Sequence, residues 1–250
     1  MHQTIKKSLI ALGISMAAST VSLADTWDVK ITNLTHGNHF TPLLVTAHDH
    51  DTHLFEVGMA ASPALQIMAE CGAIADLAAA AVTADTVANP VGANPNNADD
   101  PGFLAPGATS PSAMLTDPAG SHLSVVAMIL PTNDAFIGLE SQHIPAFDTA
   151  TGASNTHVFF VNGYDAGTEA NNELLPGTAC AAGVAGMPGA PGGDAGTGGA
   201  NAVAADANTT VHIHRGVLGD DSATAGTSDL DNTIHRWQNP VARVVVTVTQ

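Results

Sequence analysis

The apolar residues of this chain fall in short runs with a period of two, and this pattern restricts its fold more than any other feature. In "TWDVKITNL", residues 26–34, Trp27, Val29 and Ile31 point one way and Asp28, Lys30 and Thr32 the other. That is the signature of a strand buried on one face. Further strand-like runs occupy residues 41–48, 122–130, 135–141, 156–162, 210–217 and 241–249. One stretch reads as a short helix, "ASPALQIMAECG" at 61–72, where Ser62 suits the N-cap, Pro63 the first helical position and Gly72 the stop. The Ala-rich residues up to Val82 extend it by a turn or two. Residues 89–118 are crowded with Pro, Gly, Asn and Asp, and residues 180–208 are rich in Gly and Ala without an apolar period. Both read as long loops. Many short strands, long loops and little helix specify an all-β fold, an antiparallel β-sandwich.

The first 24 residues have a different character. Lys6 and Lys7 precede a short apolar stretch, which ends in the small-x-small sequence Ser22-Leu23-Ala24. This predicts a secretory signal peptide cleaved near Ala24, leaving residues 25–250 as one secreted or periplasmic domain. No later run is long and apolar enough for a membrane-spanning helix, so the chain is not expected to be transmembrane. Beyond residue 24 the chain keeps four of its six Lys and Arg and all 23 Asp and Glu, a formal charge of −19. Such a surface repels nucleic acid and suits a soluble exported protein or a binder of cations. In an oxidising compartment its two cysteines, Cys71 and Cys180, are expected to form a disulfide.

The stretch "VFFVNGYDAGTE", residues 158–169, reads as a buried strand whose apolar run ends in a turn that gathers Asp165 and Glu169 with no Lys or Arg nearby in sequence. "PTND" places Asp134 directly before the strand-like run 135–141. If the runs 135–141 and 156–162 pair antiparallel, the start of one lies beside the end of the other. Asp134, Asp165 and Glu169 then share one rim, where a hard cation such as Ca²⁺ takes carboxylate and carbonyl oxygens. Solvated loop carboxylates are the plainer reading of the same residues.

Several motifs, in order, resemble the spondin N-terminal domain of F-spondin type, found also in exported bacterial proteins. They are the opening strand "WDVKITNLT", the segment "FTPLLVTAHDHDTHLFEVGMAASPALQIMAECG", then "MILPTNDAFIGLES", "YDAGTE" and the closing "NPVARVVVTV". The resemblance implies a sandwich similar to the calcium- and lipid-binding domains of synaptotagmin type, with calcium at one rim. Carried over position by position, its ligands fall on Asp134, Asp165 and Glu169. Glu169 stands where the family commonly has Asp, and Ala135 replaces an aromatic residue. The long loops near 89–118 and 180–208 are insertions relative to the family. The implied function is a secreted, non-enzymatic calcium-binding domain, with a matrix, cell-surface, glycan or lipid partner.

Histidines supply the alternative. His212 and His214 in "VHIHR" share a strand face and form a candidate Zn²⁺ or Cu²⁺ pair, though such residues commonly just face water. His48, within the family motif, reads as a buried hydrogen-bonding residue. No nucleophile elbow, phosphate loop or metalloprotease helix is present, which weighs against an enzyme. The cysteine expectation has a direct check. A thiol assay on unfolded, unreduced protein should find almost no free thiol, and two thiols per chain would disprove the Cys71–Cys180 bond.

Overall fold

The computed structural model describes residues 24–81, 85–92, 102–116, 118, 120–174, 208–222 and 226–250. Residues 1–23, most of the expected signal peptide, and Cys180 lie outside the described residues. The strands are β1 (Thr26–Asn33), β2 (His39–Phe40), β3 (Leu44–His48), β4 (Asp85–Ala88), β5 (Ala113–Thr116), β6 (His122–Leu130), β7 (Ala135–His143), β8 (Asn155–Asp165), β9 (His212–Ile213) and β10 (Ala242–Thr249). The helices are α1 (Pro63–Cys71) and α2 (Ala75–Ala80). The strands form one antiparallel sheet in the order β4-β3-β6-β7-β8-β10-β1-β5, with β2 pairing β6 and β9 pairing β8. The sheet curls so that its two halves face each other, giving the expected all-β, sandwich-like architecture.

Two apolar clusters stabilise this arrangement. Inside the curl, Trp27, Val29 and Ile31 of β1 meet Val244 and Val246 of β10 and Val125 of β6. On the outer face of β6 and β7, Leu65, Met68 and Ala69 of α1 cover Val126, Met128 and Phe136. β6 is therefore buried on both faces, which explains why "VVAMIL" is continuously apolar instead of alternating. Each buried Leu or Met of α1 contributes on the order of 1.5–3 kcal/mol.

The ends of α1 follow local chemistry. The Ser62 hydroxyl accepts a hydrogen bond from Leu65 N at 3.1 Å. Gly72, in the left-handed conformation, ends the helix and donates its N–H to Met68 O at 2.9 Å. α2 realises the further helical turn that the Ala-rich stretch implies. Cys71 is buried at the end of α1.

Three expectations need correction. β4 and β5 lie in or beside stretches read as non-strand. β5 alternates buried and exposed residues but spans only four residues, too short a pattern to stand out among Pro and Gly. Second, the 210–217 run forms only the two-residue β9. Third, the apolar run 158–161 is not wholly buried: Val158 is 51% and Phe160 65% exposed, while Val161 is buried. Among the described residues no helix covers the outer face of their half of the sheet. β8 also runs on to Asp165, three residues past the expected end.

The continuation of β8 depends on a missing side chain. A Cβ on Gly163 would lie 2.7 Å from Trp237 Cη2. Gly138, on β7, is equally confined, because a Cβ there would meet Phe55 Cζ at 2.5 Å and Tyr164 Cδ2 at 2.9 Å. Phe55 packs edge-on to Phe136, with centroids 5.1 Å apart. Gly138→Ala should therefore overpack this aromatic group and destabilise the protein by about 1–3 kcal/mol. The urea midpoint should fall at unchanged m-value; an unaltered midpoint would contradict the packing.

Candidate functional site

The rim is built by strand register. β7 and β8 pair antiparallel with Ala135 opposite Asp165, and Ala166 N donates to Asp134 O at 3.3 Å. Asp134 and Asp165 are thus brought together, as the antiparallel argument anticipates. Asp134, Asp165 and Glu169 are all buried.

The loop after β8 folds over Asp134. Its Oδ2 accepts hydrogen bonds from Thr168 N (2.9 Å), Glu169 N (3.1 Å) and Thr168 Oγ1 (3.3 Å). Asp165 Oδ1 accepts from Gly167 N at 2.7 Å. Gly167 has φ of +71°, and a Cβ on it would stand 2.7 Å from the Thr209–Thr210 backbone. This close approach brings the segment carrying β9 against the rim.

Asp134 is asymmetrically satisfied. Its Oδ1 is buried and has no hydrogen-bond partner among the described residues. Burial first, and the neighbouring Asp165 second, push its carboxyl up to about 7, against the lowering effect of the Glu169 and Thr168 donors. An unpartnered buried carboxylate oxygen is costly, and a cation beside it removes that cost. The oxygen-rich donor set fits a hard ion. Even so, among the described residues no three His, Cys, Asp or Glu side chains stand as a ready ligand cluster.

His212 and His214 prove to be neighbours of these carboxylates. His212 Nε2 lies 3.6 Å from Asp165 Oδ2, and its Nδ1 is 2.7 Å from Thr210 O, so Nδ1 carries the proton and donates. The water-facing reading fails for His214, which is buried with its ring centroid 5.1 Å from that of Trp237. Gly216 N donates to His214 Nδ1 at 2.9 Å, so the ring proton sits on Nε2 and donates to Asn171 Oδ1 at 2.7 Å. Asn171 Nδ2 in turn donates to Asp165 Oδ2 at 2.5 Å. Burial pushes the His214 imidazole down to about 4, keeping it neutral. Both its nitrogens are engaged, so His214 orients Asn171 in place of presenting a free ligand atom beside His212.

Asn171, Thr168 and Trp237 are the site residues that sequence reasoning did not single out. Asn171 and His214 are 43 positions apart, and no local pattern joins them. His48 is buried as expected, with Nε2 2.8 Å from Ser124 Oγ.

The fold and rim together define an all-β domain with a buried carboxylate pair, Asp134 and Asp165, at one rim. The chain belongs to the spondin N-terminal domain family: the family model described as Spondin_N matches residues 29–174. That span contains Asp134, Asp165, Glu169 and Asn171, while His212, His214 and Trp237 lie beyond it. Membership is consistent with an exported, extracellular domain. Among the described residues no helix is long and apolar enough to cross a membrane. None of the curated proteins compared with the chain matches it.

The raised carboxyl of Asp134 has a signed consequence. Its folded pKa lies above the unfolded value, so its contribution is fully present below about pH 4 and is lost as pH rises through about 7. In the presence of a chelator the protein should therefore lose stability over this window, relative to Asp134→Asn, by on the order of 3–4 kcal/mol. Asn keeps an acceptor for Thr168 and Glu169 but cannot ionise. Denaturation midpoints from pH 4 to 8 in chelator test this; parallel profiles for the two proteins would refute it.

Proposed function

We propose that this protein is a secreted, non-enzymatic domain that binds one Ca²⁺ at the rim formed by Asp134, Asp165 and Glu169, and that it serves in surface or matrix attachment. The observation that carries the reading is Asp134 Oδ1, buried and without a hydrogen-bond partner among the described residues, beside a second buried carboxylate. Asp134, Asp165 and Glu169 would hold the ion, with loop carbonyls and water supplying further oxygens. The chain's part is to keep these groups in place. Thr168 and Glu169 amides anchor one oxygen of Asp134, and the His214–Asn171 pair holds Asp165. The ion would supply positive charge beside Asp134 and Asp165, which form no ion pair with Lys or Arg among the described residues; Arg215 donates instead to the Asn171 backbone carbonyl.

The non-enzymatic reading draws support from the Ser124–His48 pair. It has the contact distance of a nucleophile and its base, yet both residues have 0% exposure and no substrate reaches them. The reading of His212 and His214 as a transition-metal pair draws less support, because protein partners occupy both nitrogens of His214. A partner on matrix, cell surface, glycan or lipid follows from the family alone.

An ion that binds only the folded state stabilises it by about 2.7 kcal/mol at a hundred times Kd. Millimolar Ca²⁺ should therefore raise the Tm of the parent. Asp165→Asn removes a charge, keeps the acceptor for Gly167 but not the one for Asn171, and should abolish most of that rise, read as each protein's Tm with Ca²⁺ minus its own Tm in chelator. If parent and variant gain equally from calcium, or neither gains, the assignment is wrong.

A further inference from the structure

The other end of the same strands carries imidazoles instead of carboxylates. β6 begins at His122 and β7 ends at His143, and the two residues are register partners. The loop after β3 returns His50 over His122. Gly120 permits that approach, since a Cβ there would stand 2.2 Å from His48 O. The His50 and His122 rings meet edge to face with centroids 5.3 Å apart, and those of His122 and His143 with centroids 5.4 Å apart. The rings of this cluster belong to three different chain segments, and neither β-sheet packing nor the calcium rim uses them.

We propose that His50, His122 and His143 form a binding site for a divalent transition-metal ion of the Zn²⁺ or Cu²⁺ class, separate from the carboxylate rim. Imidazoles bound to such an ion at about 2.0–2.1 Å place their ring centres roughly 3.2 Å from it, and so roughly 5.2 Å from one another in a tetrahedral site. The His50–His122 and His122–His143 spacings already match. The outer contacts are those that metal-binding histidines use. His50 Nδ1 is 3.1 Å from Asp51 Oδ1 and His122 Nδ1 is 3.2 Å from Ser121 Oγ, which leaves both Nε2 atoms without protein hydrogen bonds among the described residues. Among the described residues His143 has neither ring nitrogen so engaged. In the arrangement described the rings are edge to face and no three ligand atoms point to one centre. Closing on an ion needs His50 and His143 to turn, and both are exposed.

The site is independent of calcium binding. Imidazole nitrogens select softer ions than carboxylate oxygens do. Asp134 directly precedes β7 and His143 ends it, so at about 3.3 Å per residue the two sites lie nearly 30 Å apart.

Calorimetric titration of Zn²⁺ into the full secreted chain, without an affinity tag and saturated with Ca²⁺, tests the proposal. The parent should bind one equivalent. His50→Gln, His122→Gln and His143→Gln should each weaken binding by about tenfold or more, at least the loss seen when an outer partner is removed. Asp165→Asn should leave Zn²⁺ affinity unchanged, which separates failure here from failure of the calcium reading. His50 is an exposed loop residue, so His50→Gln keeps the test valid if a strand variant misfolds. No Zn²⁺ binding by the parent, or parent-like affinity in His50→Gln, would overturn the proposal.

Discussion

The antiparallel register of β7 against β8 is the constraint on which the rest of this structure depends. With Ala135 opposite Asp165, the residue before one strand and the last residue of the other must meet. A slip of one residue would turn Asp165 to the opposite face and carry Tyr164 away from Phe55 and Phe136. Two glycines secure the register by what they lack: Gly138 makes room for Phe55, and Gly163 for Trp237. The helix α1 then covers the outer face of β6 and β7, so the rim sits at the buried start of β7.

Burial at that rim sets the chemistry. The same desolvation that stabilises an apolar core penalises ionised carboxylates, and at Asp134 it outweighs the opposing backbone donors. The loop after β8 satisfies one oxygen and leaves the other, so the rim is organised but electrostatically incomplete. Hydrogen bonds through Asn171 tie Asp165 to the neutral, buried His214, extending the rim to a segment outside the matched family span. The strands thus separate two kinds of polar group, with carboxylate oxygens at one end of β7 and imidazole nitrogens at the other.

Much of this was legible in the sequence because strand periodicity and helix capping are local. Trp27, Val29 and Ile31 announce an inward face by spacing alone, and Ser62, Pro63 and Gly72 mark both ends of α1. Asp134, Asp165 and Glu169 were legible one level higher, from an assumed pairing of two runs and the family motifs around them. β5 was hidden because four alternating residues between turn formers carry too little pattern. The exposure of Val158 and Phe160 was hidden for another reason: a contiguous apolar run does not reveal that one sheet face goes uncovered.

The sequence by itself determined the all-β class, the single capped helix and the acidic character, since each follows from neighbours a few residues apart. Only the tertiary structure decided that His214 is buried and neutral, that Asn171 links it to Asp165, and that His50, His122 and His143 come together. Those contacts join residues tens of positions apart, and their geometry depends on how the sheet curls and how closely loops approach across Gly120 and Gly167. Such approaches are set by packing across the whole domain, which no short stretch of sequence encodes.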